Sequence, residues 1–208
     1  MATTTRASGD NKQSEKKTSK SSANGGSTGG TTAALIGVGA AGVALGIAAM
    51  IGRKFAVQAP TMLAGDWDKA LAAEHAATLK IFDALEATSN NNTTKRRILL
   101  MQMKHALAKH ALQEENAVYP ALREAGHAQD ADILNAEHGY VKQYLYELTN
   151  CPKDSERFLD ILRRFRAHIE HHVREEEDQL FPQLKAALNQ QQNAELTKEM
   201  NKEGLKLA

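Results

Sequence analysis

Residues His110–Leu122 read HALQEENAVYPAL, and residues His172–Leu184 read HVREEEDQLFPQL. Superposed, they spell His-x3-Glu-x4-(Tyr/Phe)-Pro-x-Leu twice, 62 residues apart. A lone histidine precedes each copy at nearly the same interval: His75 lies 35 residues before His110, and His138 lies 34 before His172. Four histidines and two glutamates recurring in one internal duplication is the pattern of a symmetric metal site built between helices.

The surrounding periodicity says where these residues sit. From Asp66, a candidate N-cap, the residues Trp67, Leu71, His75, Thr78, Phe82 and Leu85 fall on one stripe at spacings of three and four. After the turn SNNNTT at 89–94, a second helix from about Lys95 to Leu122 carries Leu99, Met103, Ala106, His110, Glu114 and Ala117 along one face. Gly126 ends that hairpin. Asp130 is placed to cap a third helix whose stripe is Leu134, His138, Val141, Leu145 and Leu148. Asn150-Cys151-Pro152 breaks it, and Asp154 or Ser155 starts a fourth, with Phe158, Ile161, Phe165, His168, His172 and Glu176 on its stripe. No strand pattern intervenes. The expectation is an all-α chain, an up-down-up-down four-helix bundle over 66–188. Residues 189–208 form a C-terminal extension with a short helix around 194–203, too short to be stable undocked.

His and Glu at i and i+4 share a helix face. His110 with Glu114, and His172 with Glu176, each offer a nitrogen and a carboxylate to one point, while His75 and His138 occupy core-facing positions on the other two helices. Six side chains therefore converge on one interior volume. Burying two carboxylates and four imidazoles without a partner would be costly, and a pair of divalent cations supplies the compensation. Imidazole and carboxylate ligands admit iron, manganese or zinc. A single histidine on an apolar stripe more often serves the core than a metal, so it is the repetition with carboxylates that selects these six. His105 lies five residues before His110 and roughly 140° round the helix, outside the site. His127 and His171 read as solvated, Glu115, Glu175 and Glu177 as neighbours of ligands, and Tyr119 and Phe181 as packing residues at the bundle end.

The rest of the chain divides sharply from this part. Of 26 Lys and Arg, seven lie in residues 1–60 against Asp10 and Glu15, so that stretch carries a net charge of +5 and the remainder −4. Residues 1–32, rich in Thr, Ser, Gly and Lys, read as a disordered tail. Its scattered charges without aromatics do not make a specific nucleic-acid site. Residues 33–51, AALIGVGAAGVALGIAAMI, are an uncharged run of 19 residues followed by Arg53 and Lys54. That is close to the ~20 residues a membrane-spanning helix needs. Gly42 and Gly46 add a GxxxG face suited to helix–helix association in lipid. The alternative is a buried Gly/Ala segment. GVGAAG at 37–42 matches a dinucleotide fingerprint literally, but no strand precedes it and no βαβ alternation follows. Residues 52–65 read as a linker. Arg53 and Lys54 favour a membrane-anchored protein with a cytoplasmic bundle, with Lys16, Lys17 and Lys20 competing at the other end. The single Cys151 excludes an internal disulfide and cysteine-based zinc sites.

On its doubled motif and the Tyr119-Pro120 and Phe181-Pro182 pairs, the segment from 66 to about 188 resembles the hemerythrin-like, or HHE cation-binding, family. The resemblance implies a four-helix bundle around two iron ions, with His75, His110, His138 and His172 as terminal ligands and Glu114 and Glu176 bridging. One departure matters. Oxygen-carrying members have a further histidine four residues after the third-helix ligand, where this chain has Lys142. That argues against reversible oxygen transport and leaves both metals an open position. His168, one turn before His172, is the one obvious substitute, placed either to complete the ligand set or to sit just outside it. Three functions remain open: a di-iron protein that binds or senses oxygen, nitric oxide or iron; a di-iron enzyme acting on nitric oxide or peroxide or supplying iron for cluster repair; and an interaction module without metal.

Overall fold

Helix α1 (Trp67–Glu86) begins where Gly65, at φ +110, turns the chain and Asp66 takes the N-cap position. It buries the expected stripe: Trp67, Leu71, His75, Thr78, Phe82 and Leu85. In the computed structural model of the protein, which describes Gly52, Lys54 and residues 58–208, every regular element among the described residues is helical. None of these helices is long and apolar enough to cross a membrane. The tail 1–32 and the apolar run 33–51 lie outside the described residues.

Helix α2 (Thr93–Gln113) runs without a break through a π-helical turn, Glu114–Val118, into α3 (Tyr119–Glu124). The same sequence of events recurs when α5 (Glu156–Glu175) passes through Glu176–Leu180 into α6 (Phe181–Ala187). Pro120 and Pro182 explain the coincidence. A proline ring clashes with the carbonyl four residues back and offers no N–H. Widening the preceding turn to an i→i+5 register removes the conflict: Tyr119 N–H donates to the Glu114 carbonyl and Phe181 N–H to that of Glu176. Each proline then sits in the first turn of a new α segment, where its missing N–H costs nothing.

Helix α4 (Ala128–Asn150) starts after Gly126, which adopts φ +96, with His127 at the N-cap. Asp130, expected to cap it, lies instead in its first turn, 3.1 Å from His127 Nδ1. Ser155 caps α5, accepting from the Arg157 N–H at 3.2 Å. The two other expected stripes are adjusted by a residue. On α2 the buried line runs through Leu100, Met103, Leu107 and His110, with Leu99 and Ala106 at its edge. On α5 Ile169 takes the interior place assigned to His168.

The four arms (α1; α2 with α3; α4; α5 with α6) pack α1 on α2, α4 on α5, α1 on α5, and α3 on α4. Their apolar residues form two clusters. One gathers Trp67, Leu71, Tyr119, Leu122, Leu134, Phe181 and Leu184; the other gathers Phe82, Met103, Phe158, Ile161, Phe165 and Leu148. The doubled motif forms a polar belt between them. At the far end Arg96, fully buried, donates to Thr88 Oγ1 and to the Lys153 carbonyl at 2.7 Å, tying the α1–α2 loop to the α4–α5 loop.

Two stretches outside the four arms differ from expectation. The C-terminal helix α7 (Gln190–Leu207) is 18 residues long and opens with a capping box between Asn189 and Gln192. It is longer than its sequence signals because docking supplies what propensity alone does not. Leu196 and Met200 enter the Trp67 cluster, and Trp67 Nε1 donates to Asn193 Oδ1 at 2.9 Å. Part of the segment read as a linker is likewise built in: residues 58–63 are helical, and Gln58 and Thr61 are buried.

Candidate metal centre

Six side chains of the doubled motif meet in the belt, all of them buried. His75, His110, Glu114 and Glu176 form one group able to hold a cation, and Glu114, His138 and His172 form a second. Glu114 is common to both. Its Oε1 lies 3.1 Å from His110 Nε2, and its Oε2 lies 3.3 Å from His138 Nε2. Glu176 Oε2 lies 3.3 Å from His75 Nε2 and 3.4 Å from His172 Nε2, so this oxygen also faces both groups. His168 is not brought in. Its Nε2 lies 3.4 Å from the Glu137 carbonyl, and its ring packs beside Tyr140 and Tyr144. Lys142 is exposed and reaches Glu115 at 3.5 Å.

The outer nitrogens of the four rings are as ordered as the inner ones. His75 Nδ1 meets Glu177 at 2.7 Å, His110 Nδ1 meets Glu74 at 3.1 Å, His138 Nδ1 meets Glu115 at 2.9 Å, and His172 Nδ1 meets Glu137 at 2.6 Å. A carboxylate behind Nδ1 fixes the proton there and turns the Nε2 lone pair inward, the arrangement that metal-binding histidines use. The pairs obey the duplication. Glu74 and Glu137 each directly precede a histidine and serve the ring on the next arm, while Glu115 and Glu177 each directly follow a motif glutamate and serve the lone histidines.

The inner face, taken without a cation, does not balance. His75 Nε2 and His110 Nε2 face each other at 2.8 Å. Glu114 Oε1, His172 Nε2 and Glu176 Oε2 are buried without a hydrogen-bond partner; the short approaches to Glu114 and Glu176 lack hydrogen-bond alignment. Orphaned buried groups are rare, and three in one cluster fit a missing positive charge. Protons take that role in the metal-free site. Burial pushes the His110 imidazole down, but Glu114 and Glu74 override it and hold it well above the usual range. Burial likewise opposes a charge on His172, yet the Glu176 charge and the Glu137 hydrogen bond raise it to about 9. Burial pushes Glu74 up, but His110 and Lys109 together hold it at about 2. The residues fit metal binding by imidazole and carboxylate ligands.

Tyr119 packs in the Trp67 cluster, as expected, and its hydroxyl also reaches this site. Its hydroxyl donates to Glu176 Oε1 at 2.8 Å and lies 3.4 Å from Glu114 Oε2 and 3.2 Å from His138 Nε2. In an α-helix a residue five positions after Glu114 points roughly 140° away. The π turn returns it, through the bond from its N–H to the Glu114 carbonyl. Phe181, the counterpart in the second repeat, has no hydroxyl; its ring lies parallel to His75 with centroids 6.3 Å apart. The duplicated site is therefore chemically unequal at its two ends. Two further residues, Glu74 and Glu137, are not among those the sequence singles out. Their signal is present all the same: the tripeptide Ala-Glu-His occurs at 73–75 and again at 136–138.

A cavity of about 20 Å³ adjoins the four imidazoles on the side away from Tyr119, walled by Thr78, Leu107, Val141, Ile169 and Val173. A much larger cleft, about 710 Å³ beside Cys151 and Lys153, lies at the other end of the bundle and contains none of these residues.

Comparison with known proteins agrees with the geometry. No curated protein and no solved structure matches the chain. The family model for the hemerythrin HHE cation-binding domain matches residues 68–202, about two thirds of the sequence and all six converging side chains. The chain belongs to the hemerythrin HHE cation-binding domain family.

Proposed function

We propose that the protein is a non-haem di-iron protein that binds a diatomic ligand, oxygen or nitric oxide, in a sensing or stress-related role. The observation that carries this reading is the set of inward-facing atoms left unpaired while every outer imidazole nitrogen is paired. An interaction module with a structural polar core would have no reason to orphan only the atoms facing one another. His75, His110, Glu114 and Glu176 would hold one iron, and Glu114, His138 and His172 would hold the other. Ferrous ions bound there would supply open coordination positions and reducing equivalents for a diatomic ligand. Thr78, Leu107, Val141, Ile169 and Val173 keep the adjoining space small and largely apolar, which suits a diatomic and excludes organic substrates. Residues 33–51 would tether the bundle to a membrane.

Tyr119 favours a second reading, an enzyme acting on peroxide or nitric oxide. Burial and the two carboxylates Glu114 and Glu176 push its hydroxyl well above the usual phenol range, so it stays protonated. A buried donor at this place can hold a proton against an anion formed beside it.

Loading the metal-free protein anaerobically with ferrous iron, then counting iron and recording the optical spectrum before and after oxygen or nitric oxide, tests the proposal. Two irons per chain and a stable adduct band are expected, with iron lost in His110→Ala. Sub-stoichiometric metal unaffected by that substitution, or a single zinc, would overturn it. Sustained consumption of peroxide or nitric oxide would move the assignment to the enzyme.

A further inference from the structure

Of the four carboxylates behind the imidazoles, Glu74 is held differently from the rest. Glu115 and Glu177 are about one third exposed, and Glu137, nearly as covered as Glu74, meets His172 as its side-chain partner. Glu74 is enclosed by donors. Lys109 Nζ reaches its Oε1 at 2.7 Å, the Thr61 hydroxyl donates to the same oxygen at 2.6 Å, and the Gln113 amide, turned with its NH2 towards Glu74, reaches Oε2 at 2.9 Å. A lysine as buried as Lys109 is rare without full pairing. Its other two partners are Gln58 Oε1 and Thr61 Oγ1, both at 2.9 Å.

Gln58 and Thr61 precede the family-matched segment. They are tied in turn to the C-terminal helix: Gln58 donates to Asn201 Oδ1 at 3.0 Å, and Lys54 Nζ donates to the Leu205 carbonyl at 3.0 Å. Gly204 makes the fit, because a Cβ there would lie 2.7 Å from the Gln58 amide and 2.9 Å from that of Gln113. A continuous buried polar path thus runs from the segment at 58–61, through Lys109 and Glu74, to His110.

We propose that residues 58–61 are a working part of the metal centre: Gln58 and Thr61 act through Lys109 and Glu74 as positioning residues for His110, so that metal occupancy and docking of the chain before the bundle are linked. The inference rests on the proposed metal function. If Glu74 orients His110 only while the segment is docked, the metal binds the docked form more tightly, and by reciprocity the metal strengthens docking by the same factor. Losing a carboxylate behind a metal-bound histidine typically weakens binding about 10–100-fold.

The test uses the full chain with two variants that touch no metal-facing side chain, Thr61→Val and Gly204→Ala. The second adds a good helix former to α7 while displacing Gln58 and Gln113, so it perturbs the path without weakening the helix. Ferrous iron is titrated anaerobically against a chromophoric chelator, and hydrogen exchange of residues 58–63 is followed in metal-free and iron-loaded protein. Both variants should weaken one of the two iron positions about 10-fold and leave the other unchanged. Iron should slow exchange at 58–63 in the unaltered chain. Equal affinities in all three proteins, or exchange at 58–63 indifferent to iron, would overturn the linkage while leaving the metal function intact. A chain that binds no iron would instead overturn the function from which the linkage starts.

Discussion

Replacing Glu137 tests the two proposed metal positions separately. Its Oε2 lies 2.6 Å from His172 Nδ1, the shortest of the four outer contacts, and His172 belongs only to the group with Glu114 and His138. In Glu137→Gln the side-chain oxygen can still accept from Nδ1–H, but the negative charge is lost. In Glu137→Ala both are lost. Removing an outer partner of a metal-bound histidine weakens binding about 10–100-fold. The glutamine variant is placed at the lower end, about 1.4 kcal/mol, and the alanine variant near the upper, about 2.7 kcal/mol. The change should fall on one position, because His75 and His110 are backed by Glu177 and Glu74. An anaerobic chelator competition that resolves two binding steps measures it, with a histidine NMR titration of the metal-free protein alongside. In that titration His172 should move from about 9 towards its ordinary value as the Glu137 hydrogen bond is weakened. Two binding steps weakened equally, or a folded Glu137→Ala protein with unchanged affinity, would refute the assignment of one outer carboxylate to each metal-facing ring.

The same geometry has other measurable consequences. His172 is raised to about 9, so its contribution to the metal-free fold is complete below about pH 6.5 and is lost as pH rises through 9. Glu74 is held at about 2, so its contribution is present above about pH 4.5 and lost as pH falls through 2. Thermal melts of metal-free protein should therefore be flattest between those limits and decline on either side; a melt independent of pH from 6.5 to 9 would contradict the His172 assignment. Because bound metal displaces these imidazole protons, affinity should rise with pH over the same alkaline interval, and proton release on loading, read with a pH indicator, should accompany it. Tyr119→Phe removes a charge-assisted bond to Glu176 and should cost about 1.5–3 kcal/mol in the metal-free protein, measured by denaturant unfolding, while both metals still bind. Met200→Ala opens a cavity where α7 meets the Trp67 cluster and should cost about 2–5 kcal/mol; a loss under 1 kcal/mol would mean that α7 is not docked as described.

Much of the centre is legible in the sequence alone. A period of 3.6 with the His-x3-Glu spacing puts a nitrogen and a carboxylate on one face, and the duplication picks these residues out from ordinary core histidines. The reading holds best on α1, whose expected stripe is buried residue for residue. It fails where the period changes. The π turns after Glu114 and Glu176 rotate the residues beyond them, so a strict α projection misplaces Tyr119. It also fails for His168, where one residue of rotation on α5 gives the interior place to Ile169. Lys109 and Gln113 lie off the metal-facing stripe; they are buried because a second layer, residues 58–63 and α7, covers that side of α2.

Local spacing along the chain was enough to determine an all-helical chain and the identity of the six residues that could share a metal, because helix periodicity and an internal repeat are properties of the chain alone. Which residues stand behind those six was a tertiary decision. Each outer carboxylate serves a ring on a different helix, so no spacing along one helix contains the pairing. The same holds for the inequality of the two ends, Tyr119 against Phe181. A hydroxyl becomes a metal-site donor only when a π turn and a neighbouring arm bring Glu176 within 2.8 Å of it.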